Sequence, residues 1–329
     1  MDLLVLGGSG FVGTALVADG LSRGWNVTTL NRGNRPAVPG VTALVGDRSA
    51  PGGLDALGDR DWDIVADTWS WAPSAVRDAA ARLAERAGRY VYISSRSVYT
   101  YPQPAGSDET APVVDASSSD TGFDDYARAK AGAELGVTEA FGDRGLLARA
   151  GLILGPHEDI GRLPWWLSRI ARGGDVLAPG EADAGIQYID ARDLAAWALT
   201  AAENGVGGPV NVVSPVGFAA LGDLLSACVT ATGSSARLRW VPTDVLLAAG
   251  VEPWSDLPAW LPPGEAHDTM HSADVSRALA TGLDCRPVRD TVADTWAWLT
   301  SVGGVAPQRP DRPAVGLDPG LESRILAAV

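Results

Sequence analysis

The run Leu3-Leu4-Val5-Leu6-Gly7-Gly8-Ser9-Gly10-Phe11-Val12-Gly13 joins an all-apolar strand to a glycine turn and then to a helix that reaches Arg23 and stops at Gly24. Its three glycines, spaced three apart, have separate uses. Gly7 permits a tight bend, Gly10 lets backbone approach a phosphate, and Gly13 lets the helix lie close on the strand. The helix N-terminus adds N–H donors and the positive end of a dipole, so the stretch reads as a seat for the pyrophosphate of a dinucleotide.

Outward from this turn, apolar runs at Trp25–Leu30, Val41–Val45, Ile64–Ala66 and Tyr90–Ile93 read as further buried strands. Ala75–Ala87 reads as a helix between them. After a polar loop, Pro102–Gly122, come a helix over Tyr126–Phe141 and a strand over Leu146–Leu154. Strands alternating with helices define an α/β protein with a doubly wound parallel sheet, a Rossmann fold, beside a smaller C-terminal substrate lobe. The expected dinucleotide-binding domain covers residues 1–155 with return segments near 186–214, where Gln187–Asp190 and Val210–Val213 read as edge strands. Residues 156–185 and 215–302 are assigned to the substrate lobe. The tail, 303–329, is rich in Pro and Gly and ends in an apolar piece, Leu321–Val329, suited to docking back.

The 329 residues, 46% apolar and 20% charged, are enough for two lobes and exclude a disordered or fibrous chain. A net charge of −14 repels a phosphate backbone, so nucleic acid is not an expected partner. Cys228 and Cys285 are too few for a disulfide framework and lack ligand spacing, which fits a reducing compartment. No apolar run approaches the roughly 18 residues of a membrane span, and Met1-Asp2-Leu3 lacks the basic flank of a secretory signal. The expected location is the cytoplasm, as a monomer or homodimer.

At the end of the second strand, where a carboxylate would serve the ribose hydroxyls of NAD, stand Asn31 and Arg32. A neutral amide beside a guanidinium suits a 2′-phosphate, which favours NADP(H) over NAD(H), though a solvated Arg32 is the plain alternative. Asp47 is placed to accept from an adenine amino group or to cap a helix. Arg48 is placed to stack on the base or approach the phosphate. Asp67, closing the fourth strand, joins the expected cofactor set.

Of the 26 basic residues all but Lys130 are arginine. That single lysine follows Tyr126 by four residues, one helical turn, on the same face. An ammonium beside a phenol favours the phenolate and suits Tyr126 to proton transfer as acid or base. Ser95, just past the strand Tyr90–Ile93, is placed to donate to a substrate oxygen, with Ser94 and Ser97 competing for the role.

These residues resemble the extended short-chain dehydrogenase/reductases, the NAD(P)-dependent epimerase/dehydratase family, over roughly Met1 to Ser214. The likeness lies in the glycine turn, in Tyr90-Val91-Tyr92-Ile93-Ser94-Ser95 with Val98-Tyr99, in Tyr126 with Lys130, in Leu152-Ile153-Leu154-Gly155-Pro156 and in Tyr188-Ile189-Asp190 with Asp193. It implies a seven-stranded nucleotide-binding sheet, a Ser95, Tyr126, Lys130 triad, Lys130 also on the nicotinamide ribose, and Phe11, Val12 and Ile153 among the cofactor contacts. The implied activity is NADP(H)-dependent reduction of a carbonyl or oxidation of an alcohol. The alternatives are an NAD-dependent epimerase of a sugar nucleotide or related metabolite, and a non-catalytic NADP-sensing protein. Arg96-Ser97 stands where dehydratases carry Asp-Glu, which disfavours sugar dehydration. Arg149-Ala150 replaces the common Arg-Pro. Asp124 and Asp125 would oppose the action of Lys130 on Tyr126 unless they point to solvent.

On the substrate side, Trp69, Trp71, Trp165, Trp166, Trp254 and Trp260 fall in loops or in the irregular lobe, where core packing competes with an aromatic substrate wall. Arg96, Gln187 and His267 are further substrate candidates. His267 and His271 have a metal-like spacing without a third ligand, so no metal is expected. Asp190 reads as a helix cap.

Overall fold

A computed structural model describes residues 1–122, 124–305, 308–309 and 313–329. The chain runs β1 (Asp2–Leu6), α1 (Phe11–Ser22), β2 (Asn26–Asn31), β3 (Thr42–Val45), β4 (Trp62–Asp67), α2 (Pro73–Leu83), β5 (Ala87–Ser95), α3 (Tyr126–Phe141) and β6 (Gly145–Ala150). It continues with β7 (Leu152–Leu154), α4 (Arg162–Ala171), β8 (Asp175–Pro179), β9 (Gly185–Ile186), β10 (Tyr188–Asp190), α5 (Ala191–Glu203) and β11 (Gly208–Val212). Last come β12 (Ala219–Ala220), α6 (Leu221–Thr232), β13 (Arg237–Val241), α7 (Thr243–Ala248), α8 (Glu265–His271), α9 (Ser276–Ala280), α10 (Val288–Ser301) and α11 (Pro319–Ala328).

Among the described residues, seven parallel strands form one sheet in the order β11-β6-β5-β4-β1-β2-β3. The central strand explains why an unbroken apolar run forms it. Leu3 and Val5 pack with Leu16, Val17, Leu194 and Trp197 of α1 and α5, whereas Leu4 and Leu6 pack with Val76, Ala79, Ala80 and Val137 of α2 and α3. Successive side chains enter opposite layers, and each contributes about 1.5–3 kcal/mol through burial. The strand order reverses between β1 and β4, which opens a crevice beyond their C-terminal ends.

Close packing of α2 on α3 depends on Gly132 and Gly136, one turn apart. A methyl group at Gly132 would lie 2.4 Å from the Ser117 carbonyl oxygen, and one at Gly136 would lie 2.8 Å from Arg77 Cα. The helix bearing Tyr126 and Lys130 is thereby held close to α2 and to the loop at Ser117.

Several boundaries depart from the sequence reading. The run Leu146–Leu154 is two strands: β6 in the main sheet, and β7 beyond Gly151, where a methyl group would lie 2.7 Å from Val213 Cγ2. Val210–Val213 contributes β11 at the sheet edge, but Tyr188–Asp190 pairs with β7 instead. Ala87, expected in a helix, begins β5, because α2 starts at Pro73 and ends at Leu83.

The lobe has its own apolar core, including Leu163, Trp166, Leu167, Ile170, Val176, Leu225, Trp260 and Ile325. Glu322 of α11 receives Arg169 Nε at 2.7 Å and the backbone N–H of Leu177 at 3.1 Å. Cys228 and Cys285 are free thiols. Among the described residues no helix is long and apolar enough to cross a membrane, and no group of three metal-ligating side chains occurs.

Candidate active site

Gly7 has φ +100°, a region L side chains rarely adopt, and a methyl group there would lie 2.3 Å from Thr68 Oγ1. Gly13 is the tightest of the three: its methyl would stand 2.0 Å from the Gly7 carbonyl oxygen. Gly10 is different. A methyl there meets only Gly7 O at 3.6 Å, so the position faces open space at the N-cap of α1, as a ligand cradle requires. This turn forms one wall of a cavity of about 980 Å³ that also holds Phe11, Val12, Asn31, Arg32, Ser95, Arg96, Tyr126, Lys130 and Ile153.

At the rim above β2, Asn31 Oδ1 accepts from the backbone and hydroxyl of Ser9, both at 3.2 Å, which ties the glycine turn to the second strand. Arg32 is exposed, with its guanidinium 5.3 Å from the centre of the Trp71 ring. Arg35 donates to Ser9 O at 2.9 Å and pairs with Asp159 at 3.2 Å.

Two expected cofactor residues are engaged by protein groups, although one of them, Arg48, does line the cavity. Arg48 makes a two-pronged ion pair with Asp67, at 2.7 and 2.8 Å, and also donates to Ala75 O at 3.0 Å. Asp67 is fully buried and accepts from Tyr90 Oη at 2.6 Å and Trp69 N at 2.9 Å as well. Its acceptor sites are filled by protein, so it does not face the cleft. Asp47 also stands outside the cavity lining: its carboxylate accepts from the backbone and hydroxyl of Ser49, and those bonds hold it below the usual carboxylate range.

Ser95, Tyr126 and Lys130 line the same cavity from the end of β5 and the first turns of α3. Lys130 is 2% exposed. Its Nζ donates to Trp69 O at 2.8 Å and Ile93 O at 2.7 Å and lies 4.6 Å from the Tyr92 ring centre. Ser95 Oγ, 3.1 Å from Ser97 Oγ, accepts from Ser97 N at the same distance. Ser94 is excluded as a donor to substrate, because its hydroxyl is committed to Glu134 at 2.6 Å. Asp125 is the N-cap of α3 and accepts from Arg128 N at 3.0 Å, while Asp124 is exposed. Capping gives Asp125 its own partner at the helix start.

Beneath these groups lies a buried polar network. Glu134 receives Ser94 Oγ and also Arg149 Nη2 at 2.7 Å; Arg149 lies over the Tyr99 ring at 4.8 Å, and Tyr99 Oη donates to Asn211 at 2.7 Å. Arg149, at the position where Arg-Pro is common, therefore ties β6 to α3 and, through the Tyr99 ring, packs beside the Tyr99–Asn211 bond to β11.

On the lobe side, Arg96 lines the cavity, yet both its terminal nitrogens donate to carbonyls in the last turn of α8, Met270 at 2.8 Å and Thr269 at 2.7 Å. Burial lowers its pKa to about 10. Trp69, Trp71 and Trp254 line the cavity, the last at φ +69° with Arg162 5.3 Å from its ring centre. A bulky residue in that region is strained, so the surrounding contacts must hold Trp254 there, where it forms part of the aromatic wall of the cleft.

Other substrate candidates are not brought there. Trp166 is fully buried in the lobe core with Nε1 donating to Pro258 O at 2.7 Å; Trp165 packs edge-on against it, and Trp260 belongs to the same core. Gln187 is fully buried, donating to Ser214 O and Ala273 O and accepting from Ala273 N. His267 is within 3.0 Å of Gly185 O rather than in the cleft. His271 accepts from Gln187 N at 3.1 Å, and burial lowers its pKa to about 3. Asp190 caps α5, accepting from Arg192 N at 2.8 Å.

The cavity also takes in Arg35, Asp159, Arg162, Thr269, Met270 and Arg309, none of which the sequence reading singled out. Only Arg35 carried a local signal, as a second arginine three residues after Arg32. The others arrive from separate segments of the lobe and tail.

Residues 59–213 match the NAD dependent epimerase/dehydratase family. No curated protein matches the sequence. The fold is similar to that of the Bordetella bronchiseptica enzyme WbmH in complex with NAD+, at 19% identity and a TM-score of 0.66, covering 92% of this chain and 99% of that one. It is similar to Thermus thermophilus UDP-glucose 4-epimerase in complex with NAD, at 20% identity and a TM-score of 0.62, covering 93% and 100%. Bacillus cereus UDP-glucuronic acid 4-epimerase, also with NAD, aligns at 16% identity and a TM-score of 0.63, covering 92% and 99%. Residues 59–213 are thus similar to the NAD dependent epimerase/dehydratase family, and the seven-stranded parallel sheet described above is the fold these solved structures share with the chain.

Proposed function

We propose that the protein is a pyridine-nucleotide-dependent oxidoreductase that interconverts a carbinol and a carbonyl on a small molecule, with NADP(H) as the favoured cofactor. The observation that carries this reading is the meeting of Ser95, Tyr126 and Lys130 with the glycine turn in one cavity. The residues fit a dinucleotide: Gly10 leaves the cradle open, and Asn31, Arg32 and Arg35 stand at the end of β2 where the adenosine ribose is held in such folds. When bound, the nicotinamide supplies hydride exchange.

The chain's own residues handle orientation and the proton. Ser95 donates to the substrate oxygen, and Tyr126 exchanges the proton at that oxygen. Lys130, held by two carbonyls at the base of the site, supplies the positive charge that steadies a phenolate and donates to the ribose. Trp69, Trp254, Leu261 and Met270 shield the site from water.

The test is nucleotide binding followed by turnover. Purified protein should bind NADPH more tightly than NADH and consume it with members of a carbonyl panel, followed by loss of absorbance of the reduced ring. A second reading, epimerisation, is favoured by the epimerase structures the fold resembles. It would show as isomerisation of a sugar nucleotide without net nucleotide consumption.

A further inference from the structure

We propose that Arg96 is a positioning residue of the active site: it fixes α8, a lobe wall of the cleft, against the turn that carries Ser95. The proposal rests on reading Ser95 as the donor to the substrate oxygen.

Arg96 follows Ser95 directly and opens the short helical turn Arg96–Val98. Ser95 Oγ accepts from Ser97 N at 3.1 Å, so the direction of that hydroxyl depends on how the turn is held. At one end of the turn Val98 is fully buried and packs with Tyr99 and Ala131. At the other, the buried side chain of Arg96 crosses to the lobe, where Nη1 donates to Met270 O at 2.8 Å and Nη2 to Thr269 O at 2.7 Å. Both carbonyls belong to the last turn of α8, so the guanidinium meets the negative end of that helix and its terminal acceptors. Charge-assisted bonds of this kind are about twice as strong as neutral ones.

Ala266, Thr269 and Met270 of α8 line the same cavity as Ser95. The residues whose carbonyls Arg96 holds are therefore themselves part of the cleft wall. Other ties keep α8 in place when Arg96 is removed. Gln103 N donates to Thr269 Oγ1 at 2.9 Å, Gly106 N to Ser272 O at 2.6 Å, and Asp274 N to Ser107 O at 3.1 Å. These bonds join α8 and the residues after it to the polar loop that follows β5, and Arg96 adds the tie to the turn of Ser95 itself. Loss of the guanidinium should loosen the spacing between α8 and Ser95 without unfolding the lobe. A displacement of about 1 Å at a reacting group is enough to lower the rate about a hundredfold.

The experiment compares wild type with Arg96→Gln by calorimetric titration of NADPH, by steady-state kinetics on the best carbonyl of the panel, and by hydrogen exchange of the peptide covering residues 265–272, with thermal unfolding as a control on folding. NADPH affinity should stay within about twofold of wild type, while kcat/KM for the carbonyl falls about ten- to a hundredfold. The amides of α8 should exchange about tenfold faster or more, as local opening becomes easier. A merely structural role would lower the melting temperature and leave kcat and KM of the folded variant at wild-type values; that result overturns the proposal, as does unchanged exchange in α8. Arg96→Lys, with one nitrogen for two carbonyls, should recover part of the rate. Should Arg96→Gln fail to fold, Arg96→Lys decides: wild-type kcat and KM overturn the proposal, and a several-fold loss supports it. A wild-type protein that turns over no carbonyl overturns the reaction reading. The exchange of α8 then judges Arg96 by itself, faster exchange supporting the tie and unchanged exchange refuting it.

Discussion

Arg48 and Asp67 face each other in a two-pronged ion pair, at 2.7 and 2.8 Å, with side chains 4% and 0% exposed. The pair joins the loop after β3 to the end of β4, directly below the cavity. Removing the carboxylate strands a buried guanidinium, so Asp67→Asn should cost about 3–5 kcal/mol of stability. Urea unfolding of the variant checks this; a midpoint equal to wild type would show that the pair carries no structural load.

Tyr126→Phe removes the phenolic oxygen and leaves the ring in place. Turnover should fall by about 10²–10⁴-fold while dinucleotide affinity changes little, since general acid–base catalysis contributes on that scale. Steady-state kinetics with calorimetry separate the two. Lys130→Ala should lower both, because it empties the position between Trp69 O and Ile93 O at the base of the cleft. Full activity in Tyr126→Phe would refute the mechanism.

Arg32→Ala tests the cofactor preference. The guanidinium is exposed at the rim, so its loss should leave stability nearly unchanged. NADPH affinity should drop about tenfold or more relative to NADH, the value of a charge-assisted contact. A constant ratio of the two affinities rejects Arg32 as a 2′-phosphate ligand.

Gly13→Ala tests the seat of the pyrophosphate. The added methyl would stand 2.0 Å from Gly7 O and 3.0 Å from Gly8 Cα, both backbone, so the turn must move. Nucleotide binding should be lost and the melting temperature lowered. Gly10→Ala, with 3.6 Å of clearance, should keep wild-type stability and lose affinity alone.

Glu158 governs a pH dependence. Its carboxylate is fully buried at the start of α4, accepting from Arg162 N at 2.6 Å and Leu163 N at 3.2 Å. Burial pushes its pKa up to about 7, against the opposing pull of Arg162 and the two N–H groups. The folded protein therefore holds a proton that the unfolded chain releases near 4.5. By linkage, this group's contribution is fully present below that value and is lost as pH rises toward about 7. Glu158→Gln should flatten this part of the stability profile, measured as urea midpoints across the interval. A profile identical to wild type would mean Glu158 does not titrate there.

Much of the N-terminal half was legible in the sequence. The unbroken apolar run Leu3–Leu6 suits a strand covered on both faces, and glycines at 7, 10 and 13 suit a turn where backbone must bend, open to a ligand and then pack tightly. Tyr126 and Lys130, one turn apart, needed nothing beyond helical geometry to be placed on one face. These features are set largely by the chain's own period and by local backbone sterics, although the side chain of Thr68 also crowds Gly7.

The tertiary structure decided what local pattern cannot encode: which partner each polar group meets. Arg48 and Asp67, 19 residues apart, neutralise each other only because β3 and β4 end at one level of the sheet. Gln187, Trp166 and His267 satisfy themselves inside the lobe, and Arg96 spends its terminal donors on α8. Asp159 and Arg309 reach the rim through folding of the lobe and tail over the crevice. A side chain's partner is fixed by where distant segments converge, and that convergence follows from packing the two cores together rather than from any short run of residues.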